Sequence, residues 1–290
     1  MVVAFPYGIS YAVLCLLQGV LVAPAWRRPF RLGRSRLVGV ALPIAVLIAG
    51  VTATRGGDWS TRAVADLATF ATPIVAAAVA FAWGWRHPWA YGALAPAAWI
   101  VAWRADGLWA DVAGVALIAA ACLTLAAVIG SFTPPWALAA GLVVLAIVDA
   151  TLVFSDQVRP GTDALHAIVP VGAVGRPLPA LQDATLGHAL FGWLDILAPA
   201  LCAVLLARAS RPRVGAALLT AIASLAFGLI LAVTDQIPGT VPPLAAVAVW
   251  FVANRPGATP RRRPRVTGPG DAALGSVVEA DRFHFRGLRH

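Results

Sequence analysis

Two aspartates, Asp149 and Asp195, stand in otherwise apolar stretches, AGLVVLAIVDATLVF and ALFGWLDILAPALCAVLL. Placing such a carboxylate in hydrocarbon costs about 2.5–3.5 kcal/mol on insertion scales, so its presence there marks a functional site by default. Two of them on consecutive apolar stretches suggest a pair. Close carboxylates repel when both are ionised, so a pair holds one shared proton, a state suited to hydrolysis. The ionised member draws a proton from water while the protonated member hydrogen-bonds the carbonyl under attack. Such a pair titrates as a unit, so neither residue is assigned base or acid on its own.

Composition indicates the elements that must position these residues. With 60% hydrophobic and 12% charged residues and a mean hydropathy of +0.81, the chain cannot clothe a soluble domain in polar surface. The expected class is an all-α polytopic membrane protein. A helix crosses hydrocarbon of ~30 Å with about 20 apolar residues. Nine runs approach that length, at approximately 4–25, 37–54, 63–84, 88–103, 108–130, 136–156, 187–207, 214–233 and 238–253, giving about nine transmembrane helices within 1–253. Residues 254–290, rich in Arg, Pro and Gly, read as a disordered basic cytoplasmic tail.

The net charge of +9 is carried by arginine, since lysine is absent. A basic excess often points to nucleic acid, but these arginines follow a topological pattern, and no nucleic-acid partner is expected. Arg27, Arg28, Arg31, Arg34 and Arg36 follow the first run, Arg86 the third, and Arg208, Arg211 and Arg213 the seventh. Arg255, Arg261, Arg262, Arg263 and Arg265 follow the ninth. With nine spans these loops share one side, the cytoplasmic one by the positive-inside rule. The amino terminus is then outside and the carboxyl terminus cytoplasmic. The first span reads as an uncleaved anchor, because its apolar run is longer than a signal's and no basic residue precedes it. The all-arginine, alanine-rich usage suggests a high-GC bacterial genome, and hence the bacterial inner membrane.

In that topology the sixth span runs outward, with Asp149 seven residues before Asp156; the seventh runs inward, with Asp195 seven residues after His188. At about 1.5 Å rise per residue, both carboxylates lie on the order of 10 Å inside the outer boundary. Gly192, on the same face of the expected helix as Asp195, admits a close neighbour. Pro199, four residues beyond Asp195, has no N–H for the Asp195 carbonyl. Loosened backbone of this kind is tolerated beside a wet cavity. At the outer end of span nine, IPGTVPPL gathers Pro238, Gly239, Pro242 and Pro243, so a regular helix cannot start cleanly. Its unpaired backbone groups could receive an extended peptide by strand addition. The outer loop 157–186 contains HAIVPVGAV at 166–174, which reads either as a short strand or lid or as a segment resting at the membrane interface.

On these residues the chain resembles the intramembrane aspartyl proteases of the presenilin and signal peptide peptidase type. That family carries a tyrosine-aspartate pair in its sixth span, glycine-any-glycine-aspartate in its seventh and proline-alanine-leucine at the start of its ninth. The corresponding segments here are IVDATLVF with Asp149, Gly192-Trp193-Leu194-Asp195, and Pro242-Pro243-Leu244. Val148 stands at the tyrosine, Leu194 at the second glycine and Pro243 at the alanine. The resemblance covers roughly 136–253, and the first five spans match only in number. It implies that Asp149 and Asp195 are catalytic and that Gly192, Trp193, Leu194, Pro199, Pro242, Pro243 and Leu244 shape the site or meet substrate. The implied substrates are single-span membrane proteins or signal peptides in the bilayer. With the loop between spans six and seven outside, the orientation resembles that of the signal peptide peptidases.

A second class remains open on the same residues: a proton-coupled transporter or channel, in which the aspartates carry protons. A third is an inactive relative that binds membrane proteins. Transporters usually show internal repeats, and none is visible here. No cofactor or metal is expected. Cys15, Cys122 and Cys202 lie in apolar runs without paired spacing and read as small core residues. His87, His166, His188, His284 and His290 are scattered, without ligand spacing.

Overall fold

The computed structural model describes residues 7–24, 58–83, 87–155, 178–208, 213–229 and 238–254. These residues are mostly helical. In chain order they form α1 (Tyr7–Val22), α2 (Asp58–Ala77), α3 (Val79–Trp83), α4 (Pro88–Arg104), α5 (Leu108–Phe132) and α6 (Pro135–Phe154). An antiparallel hairpin, β1 (Asp183–Leu186) and β2 (Ala189–Gly192), leads into α7 (Trp193–Arg208), followed by α8 (Arg213–Gly228) and α9 (Leu244–Ala253). By length and composition α5 and α6 are long and apolar enough to cross a membrane, while α1, α7, α8 and α9 are shorter apolar helices.

Local chemistry explains most boundaries. Proline opens α4 at Pro88 and α6 at Pro135, where a helix has no use for the missing N–H. The Ala78 N–H bonds to Val75 O, three residues back, at 3.2 Å; this tightened turn separates α2 from α3. Two hydroxyls inside α5 are satisfied within their own turn. Thr124 donates to Ala120 O at 3.0 Å and Ser131 to Ala127 O at 2.6 Å, so neither needs water.

The central elements are α5, which packs against α2, α3, α4, α7 and β1, and α7, which also meets α1, α6 and α9. From Ile196 to Leu206 every residue of α7 is buried, as expected of a helix apolar all round. Its first turn, with Asp195, stands at one end of that core. Cys15, Cys122 and Cys202 are buried and free, consistent with small core residues. On the other side α1 lies along α8 and approaches it closely at Gly19, where an added Cβ would come within 2.7 Å of Ala217 O and 2.8 Å of Ala221 Cβ. A backbone oxygen cannot swing aside. Gly19→Val is therefore expected to destabilise the fold by about 1–3 kcal/mol, measured as a lower thermal unfolding midpoint in detergent; an unchanged midpoint would contradict this packing.

The helical class agrees with the expectation, and α1, α4, α5, α6 and α8 fall close to expected runs. Three runs differ. The third is divided into α2 and α3. The seventh, expected to be helical from 187, begins as the hairpin: Gly187 has φ 59°, a conformation glycine adopts freely, and with His188 it makes a two-residue turn. The ninth is helical only from Leu244, and residues 239–243 form successive turns, because Pro242 and Pro243 have no N–H to bond into a preceding helical turn. The run at 37–54, the segment 166–174 and the tail from 255 onward lie outside the described residues.

Candidate functional site

Asp195 is the third residue of α7, and its Oδ2 accepts the Gly192 N–H at 2.9 Å. This is one half of a capping box: a side chain in the first helical turn reaches back to the N–H of the residue before the helix. A carboxylate there also complements the positive end of the helix dipole. Gly192 thus acts differently from the sequence expectation. It ends β2 rather than lying on a helix face, and an added Cβ would meet Asp195 Oδ2 at an ordinary 3.5 Å. What it contributes is its N–H.

The hairpin that presents this N–H is anchored at both ends. At its tip the Gly187 N–H donates to Asp111 Oδ2 at 2.7 Å, and at its base Gly192 pairs with Asp183. Trp193 Nε1 donates to Leu181 O at 2.9 Å, tying the start of α7 to the residues before β1. Leu194 is partly buried against the main core, and Pro199 is fully enclosed within α7.

Asp149 sits near the end of α6 and is partly buried. Its Oδ2 accepts the Thr240 hydroxyl at 2.6 Å and faces the Thr240 N–H at 3.4 Å. The neighbouring residue touches the other aspartate: a Cβ built on Gly239 would overlap the carboxyl carbon and both oxygens of Asp195. One dipeptide, Gly239-Thr240, therefore lies against both carboxylates. Consecutive α-carbons stand about 3.8 Å apart, so the two side chains converge on a very small region. Asp195 lies within electrostatic reach of both Asp149 and Asp183.

The segment after this dipeptide holds it in place. Pro242 and Pro243 are buried, and Leu244 packs against the main core at the start of α9. Cys202 Sγ on α7 donates to Pro243 O at 3.4 Å. The structure thus brings Asp149, Asp195 and Gly192 together with residues 239 and 240. Trp193, Leu194, Pro199, Pro242, Pro243 and Leu244 support the backbone around them.

Sequence reasoning passed over Thr240, and also Gln18 of α1, whose Nε2 donates to Asp195 O at 2.8 Å and to Gly239 O at 3.2 Å. The signal for Gln18 was present, a carboxamide within the apolar run LCLLQGVLV. The helical rise used to place the aspartates level fails for Asp195, because residues 189–192 are extended. Their common position rests instead on the shared dipeptide. Among the described residues no group of three or more His, Cys, Asp or Glu could hold a metal ion. Compared with protein-family models, curated proteins and solved structures, the chain finds no match in any of the three.

Proposed function

We propose that the chain is an intramembrane aspartyl endopeptidase, a divergent member of the presenilin and signal peptide peptidase type, hydrolysing peptide bonds within transmembrane segments. The observation that carries this reading is the convergence of Asp149 and Asp195 on Gly239-Thr240. Two carboxylates on different helices, brought against one backbone unit, match what water activation at a peptide carbonyl requires. In this mechanism the pair holds one proton. The ionised carboxylate takes a proton from water as its oxygen attacks the scissile carbon, and the protonated one hydrogen-bonds the carbonyl oxygen. The carbon–nitrogen bond then breaks as the departing nitrogen receives a proton from the pair. Thr240 and the Gly192 N–H each engage an Oδ2, and this reading gives the Oδ1 atoms to water and substrate.

The proposal includes a chain of about nine spans in the bacterial inner membrane, amino terminus outside, acting on single-span proteins or signal peptides. The long apolar helices α5 and α6 and the arginine distribution support it. The test is reconstitution of the purified protein into vesicles with a single-span peptide, followed by mass analysis of products. Cleavage within the apolar stretch is expected. Intact peptide, together with proton uptake that depends on the aspartates, would replace the protease with the transporter reading.

The hydroxyl on Asp149 has its own measurable share. Thr240→Val keeps the shape and the backbone N–H but removes the 2.6 Å bond. A hydrogen bond to a charged group contributes about 1.5–3 kcal/mol, so kcat is expected to fall roughly tenfold or more, with Thr240→Ser close to wild type. Equal rates for Thr240→Val and wild type would show that the hydroxyl does not hold the reactive carboxylate.

A further inference from the structure

Pro199 lies four residues after Asp195 within α7, so the Asp195 carbonyl has no helical N–H to accept from. Gln18, from α1, supplies one instead: its Nε2 donates at 2.8 Å. The same Nε2 carries a second hydrogen and lies 3.2 Å from Gly239 O. That oxygen belongs to the peptide unit whose other end is the Thr240 N–H, 3.4 Å from Asp149 Oδ2. A peptide unit is planar and rigid. It is held at its oxygen by Gln18 and faces Asp149 with its N–H.

Gln18 is itself fixed. It is 1% exposed, and its Oε1 meets the hydroxyl of Ser224 on α8. Turning the amide over would set its oxygen against two carbonyls, which have no hydrogen to offer, so one orientation is selected. A buried carboxamide is tolerated where its hydrogen-bonding groups are matched, and here both ends are.

We propose that Gln18 is a positioning residue for the aspartate pair, replacing the helical hydrogen bond that Pro199 removes and orienting the Gly239–Thr240 peptide that touches both carboxylates. The inference rests on the proteolytic reading of the pair. Its side chain reaches no reacting atom and acts through backbone carbonyls.

The test compares four full-length proteins in the same detergent and vesicles: wild type, Gln18→Met, Pro199→Ala and the double variant. Methionine keeps an unbranched side chain of similar reach without a donor. Gln18→Met should lower kcat roughly ten- to hundredfold with KM within about twofold. It should also lower the melting temperature by roughly 3–8 °C. Pro199→Ala provides a helical N–H for the Asp195 carbonyl, so in its presence the melting loss from Gln18→Met should shrink by about half or more.

Equal melting losses with and without Pro199→Ala would overturn the proposal, as would coupled melting with unchanged kcat. If Gln18→Met does not fold, the double variant decides: the N–H that Pro199→Ala supplies to the Asp195 carbonyl should restore a folded protein, and a double variant that folds no better than Gln18→Met would overturn the proposal. A wild type that cleaves nothing removes the proteolytic reading, and the melting cycle then decides the Gln18 linkage separately.

Discussion

Asp149→Asn and Asp195→Asn are each expected to abolish cleavage of a reconstituted single-span peptide, a loss of at least roughly 10²–10⁴-fold seen as intact peptide after wild type has consumed it. Asparagine preserves size and planarity, and its oxygen can still accept from Thr240 at one site or from the Gly192 N–H at the other. What it removes is the ability to take or release a proton. Because the proton belongs to the pair, the two losses should be similar, and the double variant should lose little more than either alone. Melting temperature should fall little in either variant, since the substitution adds no buried charge beyond the one the pair already carries. Cleavage that survives one substitution would refute the two-carboxylate mechanism. Loss of folding in both would leave Thr240→Val and Gly239→Ala as the informative variants.

Gly239→Ala is the second large effect. Gly239 does not have positive φ, so alanine meets no backbone strain there, and the nearest atoms its methyl would meet are those of the Asp195 carboxyl group. A carboxyl group is the mobile end of a side chain and can rotate away. The fold should therefore tolerate the methyl while the reactive geometry does not. A misplacement of about 1 Å can cost on the order of 100-fold in rate, and kcat should fall by about that factor while the thermal midpoint moves by only a few degrees. Wild-type kcat would show that the Asp195 carboxyl need not lie against this backbone. A collapsed midpoint with proportionate loss of activity would show that the contact is structural alone.

What the sequence made legible followed from strong local penalties. Asp149 and Asp195 stood out because carboxylates are costly in apolar surroundings, and the broken start of α9 was readable from Pro238, Pro242 and Pro243. The hairpin was not read. Short apolar stretches such as ALFG fit a buried helix and a strand equally well. The clue was an alternation too brief to carry an assignment: Ala184, Leu186, Ala189 and Phe191 inward, Thr185 and Leu190 outward. Reading Gly192 as a close-packing glycine followed from that error, because its place in the expected helix hid its N–H. Thr240 and Gln18 were missed for a different reason. Thr240 is ordinary in its own segment, and Gln18, though a lone carboxamide in an apolar run, carries no local sign of its partners; each points to the site only when tertiary structure brings it to a group more than 90 residues away in sequence. The orphaned Asp195 carbonyl was foreseeable from Pro199, while its partner on α1 was not.

The Gly239–Thr240 dipeptide gives the two aspartates a ruler of fixed length. Packed helices slide and tilt against each other with temperature and surroundings, so a spacing set by α6 against α7 alone would drift with them. A spacing measured against a single peptide unit is set by bond lengths and planarity, which such motion does not alter. Chain length is therefore least negotiable at this point. One residue inserted between Gly239 and Thr240 would lengthen the ruler by roughly its own span, about 3.3–3.6 Å, whereas a residue added well away from it would leave the ruler unchanged.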